Sequence, residues 1–95
     1  MTRLKLAGAT LNQIPLDWEN NLANLRAAME EARRQAVDIL LFPELCVTGY
    51  GCEDVFLSDW LSETAWEKLL TLVPHTSGLV ACIGLPLRLH GKTYN

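Results

Sequence analysis

The sequence predicts an α/β fold in which strands and helices alternate as βαβαβ, followed by the start of a hairpin. Apolar runs of strand length occupy 4–11, 36–43 and 79–86, and the stretches between them carry apolar residues at helical spacing. The middle run, AVDILLFP, has almost no polar alternation, as a strand covered on both faces of a parallel sheet requires. Such an order implies parallel pairing with right-handed crossovers.

LKLAGATL, Leu4 to Leu11, is the first strand, and NQIPLD after it supplies the turn formers Asn12, Pro15 and Asp17. Asp17 stands where a helix N-cap is needed. From Trp18 to about Gln35, Leu22, Leu25, Met29, Ala32 and Ala36 recur at spacings of three and four, which predicts an amphipathic helix. The second strand follows, Ala36 to Pro43. A turn-rich segment, Thr48 to Leu57, leads to Ser58, whose hydroxyl is placed to cap a second helix running to about Val73. Leu61, Ala65, Leu69 and Leu72 form its apolar face, and Pro74 to Gly78 end it. LVACIGLP, Leu79 to Pro86, is the third strand. LRLHGKTYN alternates around Gly91 and predicts one hairpin arm whose partner begins at Tyr94.

The 95 residues allow one small domain or a piece of a larger one, with no room for a second. An apolar content of 49 % with 20 % charge is that of a globular protein. A net charge of −3 and a pI near 5.2 give no electrostatic reason to bind nucleic acid. The longest purely apolar run, Ile39 to Phe42, is far shorter than the roughly 20 residues of a membrane span, and Met1 to Leu11 lacks a signal peptide's apolar stretch. A cytoplasmic protein is expected, with no membrane partner. Cys46, Cys52 and Cys82 fit neither a disulfide framework nor a paired C-x-x-C zinc pattern, so reduced thiols and no metal are expected. There is no G-x-G-x-x-G after the first strand and no G-x-x-x-x-G-K, which removes the usual phosphate-binding readings of a βαβ unit.

Ligands of open α/β folds bind outside the carboxyl ends of the strands, and Glu44 lies one residue beyond Pro43 at such an end. Pro43 cannot donate a ladder hydrogen bond, so it stops regular pairing and sets the direction in which the carboxylate leaves the sheet. A carboxyl group buried among apolar neighbours holds its proton more tightly, which suits a general base working near neutrality. Burial of Glu44 is therefore expected, against the plainer alternative of a cap or an ion pair. Cys46 follows by two, so in an extended chain the two side chains run parallel from Cα atoms roughly 6.6 Å apart and converge poorly on one proton. Cys82 reads as a small core residue and Cys52 as an exposed or half-buried loop thiol. Tyr50, between two glycines, either walls a pocket and touches substrate or packs its ring. Glu53 and Asp54 read as solvated loop acids or helix-start charges, and Trp60 and Trp66 as packing residues. His75 and His90 fall near turns with no fixed relation to a cysteine, and Lys92 reads as a solvated hairpin residue.

FPELCVTGY resembles the glutamate motif of the nitrilase superfamily, carbon-nitrogen hydrolases that cut amides and nitriles. The resemblance extends over nearly the whole chain, through Ile83-Gly84-Leu85-Pro86 to Tyr94-Asn95. It implies the amino-terminal portion of an α-β-β-α sandwich, so that residues 1–95 form one partial domain. It also implies a Glu base, a Lys beside the oxyanion and a Cys nucleophile. Glu44 matches the glutamate, while the Lys and Cys of the family pattern follow the Tyr-Asn strand and are not expected among these residues. GYGCEDVF, Gly49 to Phe56, resembles more narrowly the Gly-Tyr-x-x-Glu-Asp-Leu-Phe run in the glutaminase domain of the glutamine-dependent NAD+ synthetases. That branch implies L-glutamine as substrate and a carboxy-terminal synthetase domain as partner. ATP and Mg2+ would be cofactors of that domain and not of these residues, and association into a homo-oligomer is implied as well. The alternatives are a stand-alone amidase or nitrilase, and a non-catalytic α/β interaction module. On this resemblance the 95 residues alone are expected to lack amidase activity.

Overall fold

A computed structural model describes residues 3–95, apart from the side chain of Asp54. The strands β1 (Leu6–Gly8), β2 (Ile39–Leu41) and β3 (Val80–Cys82) form a parallel sheet in the order β1-β2-β3. In register, Leu6 faces Ile39 and Ile39 faces Val80, while Ala7, Leu40 and Ala81 align across the sheet. Helix α1 (Trp18–Arg34) connects β1 to β2, and helix α2 (Asp59–Leu72) precedes β3. The predicted βαβαβ order is present, with strands shorter than the apolar runs that announced them.

Both helices pack on the face that carries Ala7, Leu40 and Ala81. Leu22, Leu25, Met29 and Ala32 of α1 join Ala65 and Leu72 of α2, together with Val37, Phe42, Cys46 and Val47, in one core. Leu25 and Met29 are fully enclosed, and burying such a side chain stabilises by about 1.5–3 kcal/mol. Ala36 departs from the helical pattern: the helix ends at Arg34, Ala36 adopts φ 57° and is exposed, and Val37 fills the core instead. On α2, Leu69 is only half-buried, and Ser62 takes a buried place with its hydroxyl donating to the Asp59 carbonyl at 3.1 Å.

The other face of the sheet is open, which corrects the expectation of a strand covered on both sides. Leu6, Leu41 and Val80 are 58–67 % exposed there. Continuous hydrophobicity was a sound guide to the core side, but it cannot say whether the opposite side is covered by these same residues. Cys82, expected in the core, belongs to this open face and is exposed, since it aligns with Leu41. Cys52 is corrected in the opposite sense: it is buried, with its thiol near the Thr48 and Gly49 carbonyls. Trp60 and Trp66, read as packing residues, are both 47 % exposed.

Asp17 and Ser58 occupy the N-cap positions but neither makes a side-chain cap bond. Asp17 instead accepts from the Asn20 amide at 2.9 Å. Two 3-10 turns, Glu53–Leu57 and Val73–Thr76, occupy the segments flanking α2. The terminal hairpin is formed by both of its arms, β4 (Leu87–Leu89) and β5 (Lys92–Tyr94), rather than by one arm and a beginning. His90 and Gly91 both take positive φ at its two-residue turn, as a hairpin of right-handed twist demands. Glu53, His75, His90 and Lys92 are exposed.

Candidate active site

The chain leaves β1 and β2 at their carboxyl ends through two irregular segments, residues 9–17 and 42–52. Pro43 ends the β2 ladder just after the Phe42 amide donates to the Cys82 carbonyl at 3.0 Å. Leu45 then takes φ 52°, and Leu45, Cys46, Val47, Thr48 and Gly49 are buried, Cys46 and Val47 within the core. Glu44 is left facing outward.

Glu44 is therefore exposed, contrary to the expectation of a buried acid. It does face a cavity, of about 120 Å³, lined by Leu11, Asn12, Gln13, Pro43, Leu45, Cys46 and Tyr50 along with Glu44 itself. Both carboxylate oxygens are held. The Tyr50 hydroxyl donates to Oε2 at 2.7 Å, and the Asn95 side-chain amide donates to Oε1. Charge-assisted bonds from both sides fix the direction of the carboxylate in a way that solvent alone would not.

Tyr50 is 56 % exposed, so its ring is not a packing element, and its hydroxyl is committed to Glu44. That hydrogen bond raises the phenol above its ordinary pKa, because ionisation removes the donor and sets a second negative charge beside the carboxylate. The folded value lies above the unfolded one. The bond's contribution to stability is therefore present below the unfolded phenol's value of about 10 and is lost as pH rises through the raised one. Absorbance titration of the phenols, with Tyr50→Phe as the reference, is expected to isolate one group with a midpoint above that of a tyrosine peptide. A midpoint at or below the peptide's would contradict the contact.

A network of amides stitches the two irregular segments together. Asn21, on the first turns of α1 and 1 % exposed, donates through Nδ2 to the carbonyls of Ile14 at 2.8 Å and Val47 at 3.3 Å. Its Oδ1 accepts from the Ile14 amide at 3.0 Å. The Gln13 amide donates to the carbonyls of Asn21 at 3.0 Å and Cys46 at 2.7 Å, and its Oε1 accepts from Asn24 at 2.8 Å. Among the described residues no buried side-chain polar atom is left without a partner, so the network is complete. The Leu16 amide adds a backbone bond to the Thr48 carbonyl at 2.8 Å. Gly49, at φ +81°, allows this approach, since a Cβ there would lie 2.8 Å from the Ile14 carbonyl carbon.

Among the described residues no cysteine thiol is hydrogen-bonded to Glu44. Burial pushes the Cys46 thiol pKa up, and its Sγ lies 3.6 Å from the Gly84 carbonyl, directed into the core. Cys52 is buried under its own loop and Cys82 lies on the open sheet face. Among the described residues no group of three or more His, Cys, Asp or Glu side chains is arranged to hold a metal ion.

A family model described as Carbon-nitrogen hydrolase matches residues 5–95. The chain belongs to the carbon-nitrogen hydrolase family. This carbon-nitrogen hydrolase chain is 42 % identical over 97 residues to a glutamine-dependent NAD(+) synthetase of Arabidopsis thaliana, an alignment covering 100 % of the chain and 13 % of the relative. A glutamine-dependent NAD(+) synthetase of Homo sapiens is 30 % identical over 95 residues, covering 98 % of the chain and 14 % of the relative. The crystal structure of a glutamine-dependent NAD(+) synthetase from Cytophaga hutchinsonii superposes with a TM-score of 0.93 at 49 % identity, over 97 % of this chain and 16 % of that one. The mixed α/β fold expected from the sequence is thereby matched. The chain spans only 13–16 % of the length of these relatives.

The sequence reading singled out Glu44 and Tyr50, and the fold brings them together. It passed over Asn95 as a partner of Glu44, and over Gln13 and Asn21. The missed signal was a polar residue on the apolar stripe of α1: Asn21 lies four before Leu25, and a buried amide in that position must find partners.

Proposed function

We propose that the chain forms the glutamate-bearing part of a glutamine-hydrolysing domain in a longer enzyme. The ammonia released there would be used for ATP-dependent amidation of deamido-NAD+ to NAD+. The observation that carries this reading is the Glu44 carboxylate, gripped by Tyr50 and Asn95 at the mouth of a cavity, in a chain whose relatives are glutamine-dependent synthetases. Glu44 accepts the proton of a cysteine thiol as the sulfur attacks the side-chain amide carbon of L-glutamine, and the thiolate's nucleophilicity depends on that transfer. The same carboxyl group then returns the proton to the departing ammonia, and water hydrolyses the thioester.

On the family pattern the cysteine and the oxyanion-side lysine are supplied by residues outside these 95; Cys46 and Cys52 are buried, and Cys82 lies on the open sheet face. Residues 1–95 are on this reading part of a domain and not a complete one. ATP and Mg2+ do not fit the residues present, which offer neither a phosphate loop nor an acidic cluster among the described ones. They belong to the further synthetase domain. Tyr50 acts on the substrate through Glu44.

The test is the full-length protein supplied with L-glutamine labelled at the amide nitrogen, deamido-NAD+, ATP and Mg2+. Labelled NAD+ is the expected product, and the 95 residues alone are expected to release no labelled ammonium. Hydrolysis of a simple amide or nitrile with glutamine untouched would favour a stand-alone amidase. No hydrolysis of any amide would leave an interaction module.

A further inference from the structure

Residues 9–17 and 42–52 carry no strand or helix that could hold them in register beyond short turns, yet Glu44 sits on one of them and its cavity is shared with the other. A base works only if it meets the reacting proton within hydrogen-bond reach, and a displacement of about 1 Å can cost 100-fold in rate. Something must fix the separation of the two segments. The Gln13 side chain is the bridge closest to Glu44: its amide nitrogen binds the carbonyl of Cys46, two residues after the base, and at the same time the carbonyl of Asn21 on α1.

We infer that Gln13 is a positioning residue for Glu44, tying the base-bearing turn to the first turns of α1 through its carboxamide. This rests on the reading of Glu44 as the base. The geometry requires an amide and no other group. Two carbonyls need two N–H donors, which the NH2 end supplies, and the Asn24 amide needs an acceptor, which Oε1 supplies. Asn24 thus sets which way round the Gln13 amide lies. Leucine has comparable bulk but takes the donor away from the Cys46 carbonyl, whereas the Asn21 carbonyl keeps its place in the α1 helix. Glutamate keeps the acceptor for Asn24, while its ionised form turns an oxygen toward two carbonyl oxygens and repels them. Protonation restores one donor. Gln13 lines the same cavity as Glu44, and its carboxamide is engaged by the Asn21 and Cys46 carbonyls and by Asn24.

The experiment uses the full-length enzyme with glutamine as substrate and four variants: Gln13→Leu, Gln13→Glu, Asn24→Ala and Glu44→Gln. Gln13→Leu is expected to lower kcat by about 10- to 100-fold with little change in KM. Gln13→Glu should show the same loss at neutral pH, narrowing relative to wild type as pH falls and its carboxyl protonates. A purely structural role would not produce that recovery. Asn24→Ala should give a smaller loss in the same direction. Wild-type kcat in Gln13→Leu, or a raised KM with kcat unchanged, would overturn the inference. Should both Gln13 variants fail to melt cooperatively, Asn24→Ala decides, and an unchanged kcat there overturns it. Glu44→Gln separates the two readings. If it retains full turnover the base assignment fails and this inference with it, whereas an inactive Glu44→Gln beside a fully active Gln13→Leu removes the positioning role alone.

Discussion

Glu44→Gln in the full-length enzyme is expected to lose glutamine-dependent NAD+ formation by about 10²- to 10⁴-fold, the range that general acid–base catalysis supplies. Ammonia-dependent formation is expected to persist. The substitution is nearly isosteric and falls on an exposed side chain, so the fold has little reason to respond. The surrounding donors can adapt, since the Tyr50 hydroxyl rotates to donate or accept and the Asn95 amide can present either end. What the variant cannot do is take a proton from sulfur, because a carboxamide is not basic near neutrality. The comparison of the two nitrogen sources is therefore a direct readout of the base and is insensitive to small losses of protein. Equal loss with both sources would show that the substitution acts through the whole structure. Full retention with glutamine would end the assignment of Glu44.

The site's place was legible because it depends on chain direction and punctuation. An apolar run ending in Phe-Pro-Glu puts a carboxylate at the carboxyl end of a parallel strand, and that is where Glu44 lies. The exposure of Glu44 was not legible, because it follows from φ 52° at Leu45, a left-handed turn that a leucine gives no reason to expect. Periodicity located the buried faces of α1 and α2 through Leu22, Leu25, Met29, Leu61, Ala65 and Leu72. It said nothing about Gln13, whose role depends on the Asn21 carbonyl eight residues on and the Cys46 carbonyl 33 residues on. Cys46 shows the same limit from the other side. Its spacing from Glu44 argued against a shared proton on the premise of an extended chain, whereas residues 44–48 form a turn, and its burial and its approach to Gly84 come from tertiary packing.

Gly84→Ala is expected to reduce both stability and glutamine turnover, the first by about 1–3 kcal/mol, as overpacking typically does, and the second by about 100-fold. Gly84 does not take a positive φ, so alanine meets no backbone penalty of its own and the whole effect is one of space. A Cβ there would lie 2.7 Å from the Leu45 amide nitrogen, 3.0 Å from the Pro43 carbonyl oxygen and 3.1 Å from the Glu44 Cα. All three are backbone atoms, which cannot rotate aside as the end of a side chain would. Ordinary carbon contacts lie at about 3.5–4.0 Å, so the Pro43–Leu45 segment must move away by several tenths of an ångström and carry the base with it. The Val47 amide bond to the Gly84 carbonyl, already 3.3 Å, would lengthen further. Gly8→Ala is the control, since a Cβ at Gly8 meets nothing within 4 Å, and its expected effect is within about 0.5 kcal/mol. Thermal midpoints and glutamine-dependent kcat, measured on both variants in the full-length enzyme, check the pair. The close seat of the third strand's end against the base is then a requirement of catalysis as well as of packing. Wild-type turnover and midpoint in Gly84→Ala would mean that the Glu44 turn tolerates displacement, and that its placement is not what sets the rate.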